Sequence, residues 1–197
     1  MAVDHYDAVI VAGGRATRLD GANKPEWVHD GHRLLDDALN AAAGARRTVV
    51  VGDVTVPAGV LLTREDPPFG GPVAGVAAGL ALLSQTTTEP RPPWVLLLAS
   101  DLPHAEGAVR RLFEVDPGDH DGTVLIDDDG RPQWLIGCYR LAALTAQLAR
   151  PDHPRSLFGL LEPLKLLAVP TSAEVTADVD TVADAARWSV TPPGAPS

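Results

Sequence analysis

The sequence predicts a Rossmann-like, three-layer α/β sandwich with a mostly parallel sheet, and three observations support this fold class. Short apolar runs alternate with segments whose apolar residues recur at helical spacing, which is typical of strands and helices that alternate along a chain. Two of the apolar runs are closely followed by glycine or aspartate. Strands of a parallel sheet commonly lead into polar loops in this way, at one edge of the sheet. An acidic turn separates two later apolar runs, which indicates a β excursion from the regular alternation.

The strands are predicted from apolar runs that turn residues bound. Residues 7–12, Asp-Ala-Val-Ile-Val-Ala, lead into Gly13 and suit a buried parallel strand. Residues 94–99 are the most hydrophobic run, and Asp101 lies just past its end. Further strands are predicted at residues 48–51, 59–62, 123–126, 133–139 and 165–169.

The helices are predicted from apolar spacing and from breakers. Leu34, Leu35 and Ala38 recur at helical spacing and begin the first helix. Pro72 suits the first turn of a second helix that continues to residue 83. Shorter helices are predicted at residues 104–113, 141–148, 156–161 and 182–188.

Composition limits the number of domains and the classes of partner. A chain of 197 residues that is 45% hydrophobic can bury one compact core, so we expect residues 1–190 to form a single domain and residues 191–197 a flexible tail. No run approaches the ~18 apolar residues that a membrane span needs, and no membrane partner is expected. The net charge of −10 argues against a nucleic-acid partner, because binding to nucleic acid depends on cationic side chains.

The amino terminus and the cysteine content favour a cytoplasmic protein. The first residues are acidic where a secretory signal would be basic and then apolar. Cys138 is the single cysteine, so no disulfide can form within the chain. Since cysteine is usually buried, we expect Cys138 to pack in the core.

A glycine-containing loop follows the first strand and is rich in cations. The adjacent Gly13 and Gly14 let the backbone approach a phosphate with its amides turned inward, although a tight turn explains these glycines equally well. The loop lacks both the lysine of a Walker A loop and the glycine spacing of a dinucleotide-binding fingerprint. Arg15, Arg18 and Lys24 place three cations close together in an acidic chain, which suits a triphosphate.

Two further side chains favour phosphate chemistry at the same edge. Lys24 is one of two lysines among 16 basic residues, and its ammonium group is a compact charge that arginine does not reproduce. An ordinary solvated lysine is the alternative. Asp101 follows a strand, where its carboxylate suits Mg²⁺ that bridges nucleotide phosphates. Alternatively, Ser100 or Asp101 caps the helix that begins near Pro103.

Five ordered motifs, spread over nearly the whole chain, resemble those of the molybdenum cofactor guanylyltransferases. Each motif alone is weak, but five in this order with matching strands are specific for the wider nucleotidyltransferase family, whose fold is of the nucleotide-diphospho-sugar transferase type. The motifs are Ala-Gly-Gly-x-x-x-Arg at residues 12–18, Lys-Pro at 24–25, Gly-Pro-Val-Ala-Gly at 71–75, Ser-Asp-Leu-Pro at 100–103 and Asp-Val-Asp-Thr at 178–181.

The resemblance implies an activity and a set of site residues. It implies magnesium-dependent transfer of GMP from GTP to molybdenum-molybdopterin with release of pyrophosphate, and transient contact with molybdenum-insertion proteins or apoenzymes. It implies Lys24, Asp101 and Arg18 as catalytic residues, and Asp101 with Asp180 as magnesium ligands. The residues implied to bind the nucleotide are Val11, Ala12, Gly13, Gly14, Arg15, Lys24, Asp66, Gly71 and Pro72.

Alternatives remain for several of these residues. A surface turn also explains Asp66, and a helix cap also explains Asp180. Residues 21–24 are Gly-Ala-Asn-Lys where the family commonly has Gly-x-Asp-Lys, and Gly52 stands where an asparagine is usual. These departures leave open transfer from CTP, another phosphorylated acceptor, or nucleotide binding without catalysis. Residues 155–156, Arg-Ser, either contact the acceptor's phosphate or begin a helix.

Overall fold

The computed structural model describes residues 3, 5–13, 24–86, 90–152 and 154–193. Strands and helices alternate through most of this part of the chain. The strands are β1 (Tyr6–Ala12), β2 (Val28–His29), β3 (His32–Arg33), β4 (Thr48–Gly52), β5 (Leu61–Thr63), β6 (Trp94–Ala99), β7 (Gly122–Ile126), β8 (Pro132–Arg140) and β9 (Leu166–Pro170). The helices are α1 (Leu34–Ala41), α2 (Pro72–Gln85), α3 (Ala105–Phe113), α4 (Leu141–Leu148), α5 (Leu157–Leu161) and α6 (Val182–Arg187).

The main sheet has seven strands in the order β5-β4-β1-β6-β8-β7-β9. The pairs β4–β5, β1–β4, β1–β6 and β7–β9 are parallel, whereas β8 is antiparallel to both β6 and β7. The β7–β8 hairpin is therefore the excursion that the acidic turn indicated. The predicted fold class, a three-layer α/β sandwich on a mostly parallel sheet, is confirmed.

The central strands are apolar on both faces because helices cover both faces of the sheet. Along β1, Ala8 and Ile10 pack toward the layer that contains α1 and α3. Val9 and Val11 alternate with them and pack toward α2, α4 and α5. This alternation follows from the two-residue period of a strand. No helix among the described residues is long and apolar enough to cross a membrane.

Close packing of α2 on the sheet depends on a glycine. A Cβ atom at Gly79 would lie 2.7 Å from Cγ1 of Val9 and 3.1 Å from Cγ2 of Val51, too close for either methyl group. The missing side chain therefore lets the helix approach β1 and β4. The helix begins beside the carboxyl ends of these strands and brings its first turn to the same edge of the sheet.

A small hairpin and a terminal bridge were not predicted. β2 pairs with β3 through a turn at residues 30–31, and two residues per strand are too few to show a period in sequence. Val28 also bridges to Thr191, with backbone hydrogen bonds of 2.8 and 2.9 Å. Thr191, the first residue of the tail predicted at residues 191–197, is paired with the hairpin, and residues 194–197 lie outside the described part of the chain.

The start of α5 supports the helix-start explanation for Ser156. Ser156 is the N-cap of α5, and its hydroxyl accepts a 3.0 Å hydrogen bond from the backbone amide of Gly159. Ser156 therefore caps α5, whose first helical residue is Leu157. Arg155 is solvent-exposed and precedes this cap.

Candidate functional site

The carboxyl ends of three parallel strands meet at one edge of the sheet. β1 pairs in parallel with β4 on one side and with β6 on the other. The residues that follow these strands, Gly13, Asp53 and Asp101, therefore lie along the same edge. Open parallel sheets commonly bind ligands at this edge. The candidate site is this edge together with the segments that reach it.

Asp101 follows β6 and faces the edge without capping a helix. The backbone amide of Ser100 donates to the carbonyl of Val11 at 3.2 Å, which holds the turn after β6 against the end of β1. α3 begins at Ala105, its N-cap is His104, and no side chain makes a capping hydrogen bond. The alternative that Ser100 or Asp101 caps this helix is therefore wrong.

Lys24 reaches Asp101 from a separate segment. It opens a short 3₁₀ helix, Lys24–Glu26, that the burial of Pro25 anchors. Its Nζ donates a 2.5 Å hydrogen bond to Oδ1 of Asp180 and lies 3.7 Å from Oδ2 of Asp101. The Lys24 side chain is 14% exposed, so these carboxylates replace much of the water around its ammonium group. It is therefore not an ordinary solvated lysine.

The segment that carries Asp180 is tied to the backbone of Asp101. The amide of Val179 donates to the carbonyl of Asp101 at 3.2 Å, and the Val179 side chain is fully buried. Val179 thereby anchors the chain at this edge, with Asp178 on one side of it and Asp180 on the other. One buried residue thus brings two carboxyl groups to the site.

The cap of α6 settles the role of the neighbouring residue. Thr181 is the N-cap, and its hydroxyl accepts a 3.1 Å hydrogen bond from the amide of Asp184. The Asp184 carboxylate accepts in return from the Thr181 amide at 2.8 Å, which completes a capping box. The helix-cap explanation of Asp180 is therefore wrong, and its carboxylate is paired with Lys24.

Three carboxyl groups around one ammonium group interact electrostatically. Burial raises the pKa of Asp101, and Asp180 raises it further, while Lys24 acts in the opposite direction. Partial burial and the nearby Asp101 and Asp180 raise the pKa of Asp178 to about 6. Sequence reasoning did not assign Asp178 to the site. The available signal was the Asp-x-Asp pattern that ends at a helix cap, which places both carboxyl groups beside one anchored residue.

The carboxyl groups suit a divalent cation that a phosphate also binds. Mg²⁺ prefers oxygen ligands and is commonly held by one or two carboxylates together with substrate phosphates. Asp101 and Asp180 both approach the ammonium group of Lys24, so their oxygens face a common cation position. Among the described residues, no three acidic, histidine or cysteine side chains form a metal site by themselves. The donor set therefore fits a metal ion whose remaining ligands come from a nucleotide and water.

A pocket opens at the ends of β1, β4 and β5, along the same edge of the sheet as the carboxylate cluster. Its lining combines small residues with charged side chains and one aromatic ring. Phe69 donates its amide to the Glu65 carboxylate at 3.0 Å, and its ring lies 5.3 Å from the Arg64 guanidinium. The lining residues are Ala12, Gly13, Gly52, Asp53, Arg64, Glu65 and Phe69.

Gly52 in the pocket lining is a packing requirement. It pairs with Ala12 in the parallel register, and a Cβ at position 52 would lie 2.5 Å from the Ala12 carbonyl oxygen. A backbone oxygen cannot move aside as a flexible side chain can. The asparagine that is usual at this position in the family therefore cannot be accommodated here without a shift of β1 or β4.

The other residues implied to bind a nucleotide lie at varying distances from the pocket. Val11 and Ala12 end β1, and Ala12 and Gly13 line the pocket. Asp66 is exposed and follows the pocket residue Glu65, while Gly71, with a φ of 87°, caps α2 and Pro72 is its first residue. These last three do not line the pocket. Gly14, Arg15 and Arg18 lie outside the described residues.

Comparison with known proteins identifies a family and named relatives. Residues 8–166 match the family model of the MobA-like NTP transferase domain. The molybdenum cofactor guanylyltransferase of Cupriavidus necator is 31% identical over 146 residues, which is 68% of each protein. The molybdenum cofactor guanylyltransferase of Pseudomonas syringae pv. syringae is 28% identical over 177 residues, covering 84% of this chain and 83% of that protein.

Solved structures share the fold. The Rv0371c protein of Mycobacterium tuberculosis superposes with a TM-score of 0.69 at 20% identity, over 95% of this chain and 98% of that one. It has also been solved in complex with manganese. The molybdopterin-guanine dinucleotide biosynthesis protein A of Archaeoglobus fulgidus superposes with a TM-score of 0.66 at 19% identity, over 92% and 96% of the two chains. At these identities the structures establish the fold.

Proposed function

Because the chain belongs to the MobA-like NTP transferase family, whose members are nucleotidyltransferases, we propose that it transfers GMP from GTP to a molybdopterin-type acceptor. The observation that carries this proposal is the convergence of Lys24, Asp101 and Asp180 at the sheet edge that also carries a pocket lined by Gly13. A nucleotide base in the pocket would direct its phosphates toward the lysine and the carboxylates. The guanylyltransferase relatives support GTP and molybdopterin as the substrates.

The proposed reaction is a single in-line displacement. A phosphate oxygen of the acceptor forms a bond to the α-phosphorus of GTP, and the bond from that phosphorus to the oxygen bridging the β-phosphate breaks. The electron pair of the broken bond leaves with pyrophosphate, and the product is a guanine dinucleotide. No covalent bond to the protein forms. The protein contributes alignment and charge stabilisation, which dominate phosphoryl-type transfers.

Lys24 supplies a positive charge where negative charge accumulates. Its ammonium group is fixed by Asp180 and lies 3.7 Å from Asp101, largely shielded from water. Fixed charges in such a position stabilise a transition state more strongly than solvated ones do. Because the ammonium group has three N–H donors, it can donate a hydrogen bond to a bound phosphate and still donate to a carboxylate.

We infer that Asp101 and Asp180 hold Mg²⁺ with the nucleotide phosphates. A divalent cation in this position neutralises phosphate charge and polarises the phosphoryl oxygens. The manganese complex of the Rv0371c protein supports a divalent ion in this fold. Asp178, beside the anchored Val179, adds negative charge that favours retention of a cation.

Acceptors on the pocket wall suit a guanine base. Guanine offers two adjacent donors, its N1–H and its exocyclic amino group, and carboxylates accept from such donors. Asp53 and Glu65 bring carboxylates to the pocket, while Gly52 contributes backbone alone. A guanine site built on these two residues would not need the asparagine that is usual at position 52.

The reaction environment follows from the same proposal. We place the reaction in the cytoplasm, where the single, buried thiol of Cys138 needs no disulfide partner. The product would pass to molybdenum-insertion proteins or apoenzymes through transient contacts. The net charge of −10 leaves nucleic acid outside this set of partners.

The deciding experiment measures pyrophosphate release from GTP, CTP, ATP and UTP with Mg²⁺, with and without molybdenum-loaded molybdopterin, and identifies the dinucleotide by mass. We expect release that depends on both GTP and acceptor. Lys24→Ala and Asp101→Asn should each lower kcat at least ~100-fold, the scale of losing one fixed electrostatic contact at the reacting group. Lys165→Ala is the matched control, because Lys165 is exposed and pairs with Asp119.

Three outcomes would change the proposal. Wild-type rates in both site variants would contradict the assignment of Lys24 and Asp101. Selective release from CTP would keep the chemistry and replace the nucleotide. Tight nucleotide binding without release, with every acceptor tried, would identify a nucleotide-binding protein without turnover.

A further inference from the structure

An aromatic pair, the exposed Phe158 and the partly buried Trp134, lies on the other side of β6 from the nucleotide pocket. Phe158 of α5 is 61% exposed, far more than the aromatic rings of the core. Its ring meets that of Trp134 on β8 edge to face, with 6.3 Å between ring centroids and 75° between ring planes. This geometry is favourable for aromatic pairs, and it leaves the Phe158 face open to solvent.

Trp134 is fixed from beneath by a buried tyrosine. The hydroxyl of Tyr139 donates to the backbone carbonyl of Trp134 at 2.9 Å. Burial raises the pKa of Tyr139, so this hydroxyl keeps the proton that it donates. A Cβ at Gly137 would overlap the Tyr139 ring. The glycine therefore leaves the space in which this ring extends toward Trp134.

Phe158 is held in its exposed position by its neighbours in α5. Leu160 and Leu161 are fully buried against the sheet and anchor the helix. Ser156 caps the helix through the 3.0 Å bond from Gly159, which sets where the first turn starts. Beside these two buried leucines, the Phe158 side chain remains 61% exposed.

The register of the sheet places this pair at the level of Asp101. Leu98 of β6 pairs with Ile136 of the antiparallel β8. Trp134 lies two residues before Ile136, as Ser100 lies two residues after Leu98, so both continue toward the same edge. Neighbouring strands are ~5 Å apart, which puts the Trp134 backbone beside the turn that carries Asp101.

We propose that Trp134 and Phe158 form an acceptor platform, a surface on which the fused planar ring of the phosphorylated acceptor lies. The strand order β5-β4-β1-β6-β8 supports this, because the nucleotide pocket occupies the β1, β4 and β5 side of Asp101 and the acceptor platform occupies the β8 side. The base of the nucleotide and the fused ring of the acceptor would then lie on opposite sides of the reacting phosphates. The identification of the ring as a pterin rests on the proposed function.

A nearby cation complements the charge of such an acceptor. Arg155 is exposed, three residues before Phe158, and has no hydrogen bond or ion pair with any other described residue. In a chain with a net charge of −10, an exposed arginine three positions before an exposed phenylalanine suits a ligand that combines an aromatic system with a phosphate.

The test measures direct binding of 6-hydroxymethylpterin phosphate by calorimetry, without GTP or turnover. Phe158→Ala should raise the Kd of this probe roughly tenfold, the scale of losing one aromatic stacking contact, whereas Phe158→Tyr should bind like wild type. Leu62→Ala is the control, since Leu62 is also exposed (44%) but lies on β5 at the other end of the sheet. Melting temperatures close to that of wild type would show that the variants fold.

Each outcome decides the inference. Weaker probe binding in Phe158→Ala, but not in Leu62→Ala or Phe158→Tyr, supports the acceptor platform. Because this result does not require GMP transfer to be detected, the acceptor platform is tested separately from the proposed function. No probe binding by the wild-type protein, or equal affinity in Phe158→Ala, would overturn it. A change in sedimentation of Phe158→Ala at unchanged probe affinity would also overturn it and identify the surface as a protein contact.

Discussion

Gly52 shows how one residue shapes the pocket. Because Gly52 has no side chain, the ends of β1 and β4 can approach each other where they line the pocket. At position 52 the pocket is consequently lined by backbone alone, whereas Asp53 and Glu65 contribute carboxylates to its lining. In the proposed guanine site, side-chain contacts to the base would therefore come from residues that neighbour position 52, because a side chain at position 52 would require β1 or β4 to shift.

Gly52→Ala should destabilise the protein by about 1–3 kcal/mol, the usual cost of overpacking, because the new Cβ would lie 2.5 Å from the Ala12 carbonyl oxygen. Urea unfolding followed by circular dichroism measures this loss. Gly107→Ala in α3 is the control, since the atom nearest to its new Cβ outside the helix backbone would be a guanidinium nitrogen of Arg110 at 4.0 Å, and alanine favours a helix. Equal stabilities of Gly52→Ala and wild type would contradict the packing argument.

The polar residues of the site could be predicted from sequence only in part. Lys24, Asp101 and Asp180 were singled out because motifs flank each of them, and the structure brings all three together. Asp178 was not, because its proximity to Asp101 depends on the backbone bond from Val179. That contact joins segments far apart in the chain; the Asp-x-Asp pattern shows that two carboxyl groups flank Val179, but it does not show that Val179 bonds to Asp101.

At the scale of elements, a junction of three segments positions Lys24. Arg33, the N-cap of α1, pairs with Glu26 of the 3₁₀ helix at 3.1 Å and with Asp36 of α1 at 2.7 Å. It also donates to the carbonyl of Thr55 at 3.1 Å. The segment that begins with Lys24 is thus held against α1 by a single guanidinium group. Its several hydrogen bonds act together, as in a network.

Asp36→Asn should lower the free energy of unfolding by about 1 kcal/mol at pH 7, the scale of a partly exposed ion pair at a helix start. Hydrogen bonds from Arg33 lower the pKa of Asp36 below its ordinary value of 3.8. The stabilisation is therefore complete above that value and is lost as pH falls through the lowered pKa. Urea unfolding from pH 7 to pH 3.5 should show the difference between variant and wild type shrinking below about pH 4.

Asp37→Asn is a control for Asp36→Asn, because the pKa of Asp37 is shifted in the opposite direction. Burial raises the pKa of Asp37, so its ionised form costs stability at neutral pH. Asp37→Asn should therefore leave stability unchanged or increase it at pH 7. A loss equal to that of Asp36→Asn would show that the Arg33 pairing is not what distinguishes the two positions.

Sequence patterns predicted long elements well and short ones poorly. β1 and β6 are apolar on both faces and α2 spans several turns, so each carries a clear pattern. The boundaries differ by one or two residues where a cap decides the start, as at Ser156. The β2–β3 hairpin and its bridge to Thr191 follow from tertiary pairing that no local period shows.

At the scale of the whole molecule, the two cores on either side of the sheet isolate the single thiol. Cys138 lies on β8 with no exposed surface and packs in the layer of α1 and α3. Burial raises the pKa of its thiol, so little thiolate forms in the folded protein. The expectation that Cys138 packs in the core is confirmed.

Cys138 should therefore report global unfolding. In native buffer at pH 8, its reaction with a disulfide reagent should be at least about a thousandfold slower than in urea, since a stability of ~5 kcal/mol or more keeps the open state rare. Leu62→Cys is the positive control, because its exposed position should react at once. Rapid reaction of native Cys138 would show that β8 opens locally.

The hydrogen bond between Lys24 and Asp180 joins residues separated by 156 positions in the chain. During synthesis at ~5–20 residues per second, Lys24 would wait about 8–30 s for this partner to be made. β1, β4 and β6 can pair long before that, but the carboxylate that fixes the lysine comes later than every strand of the sheet. A nascent chain can thus acquire its scaffold early, yet it remains unable to assemble the complete charge cluster until its final helix is being added.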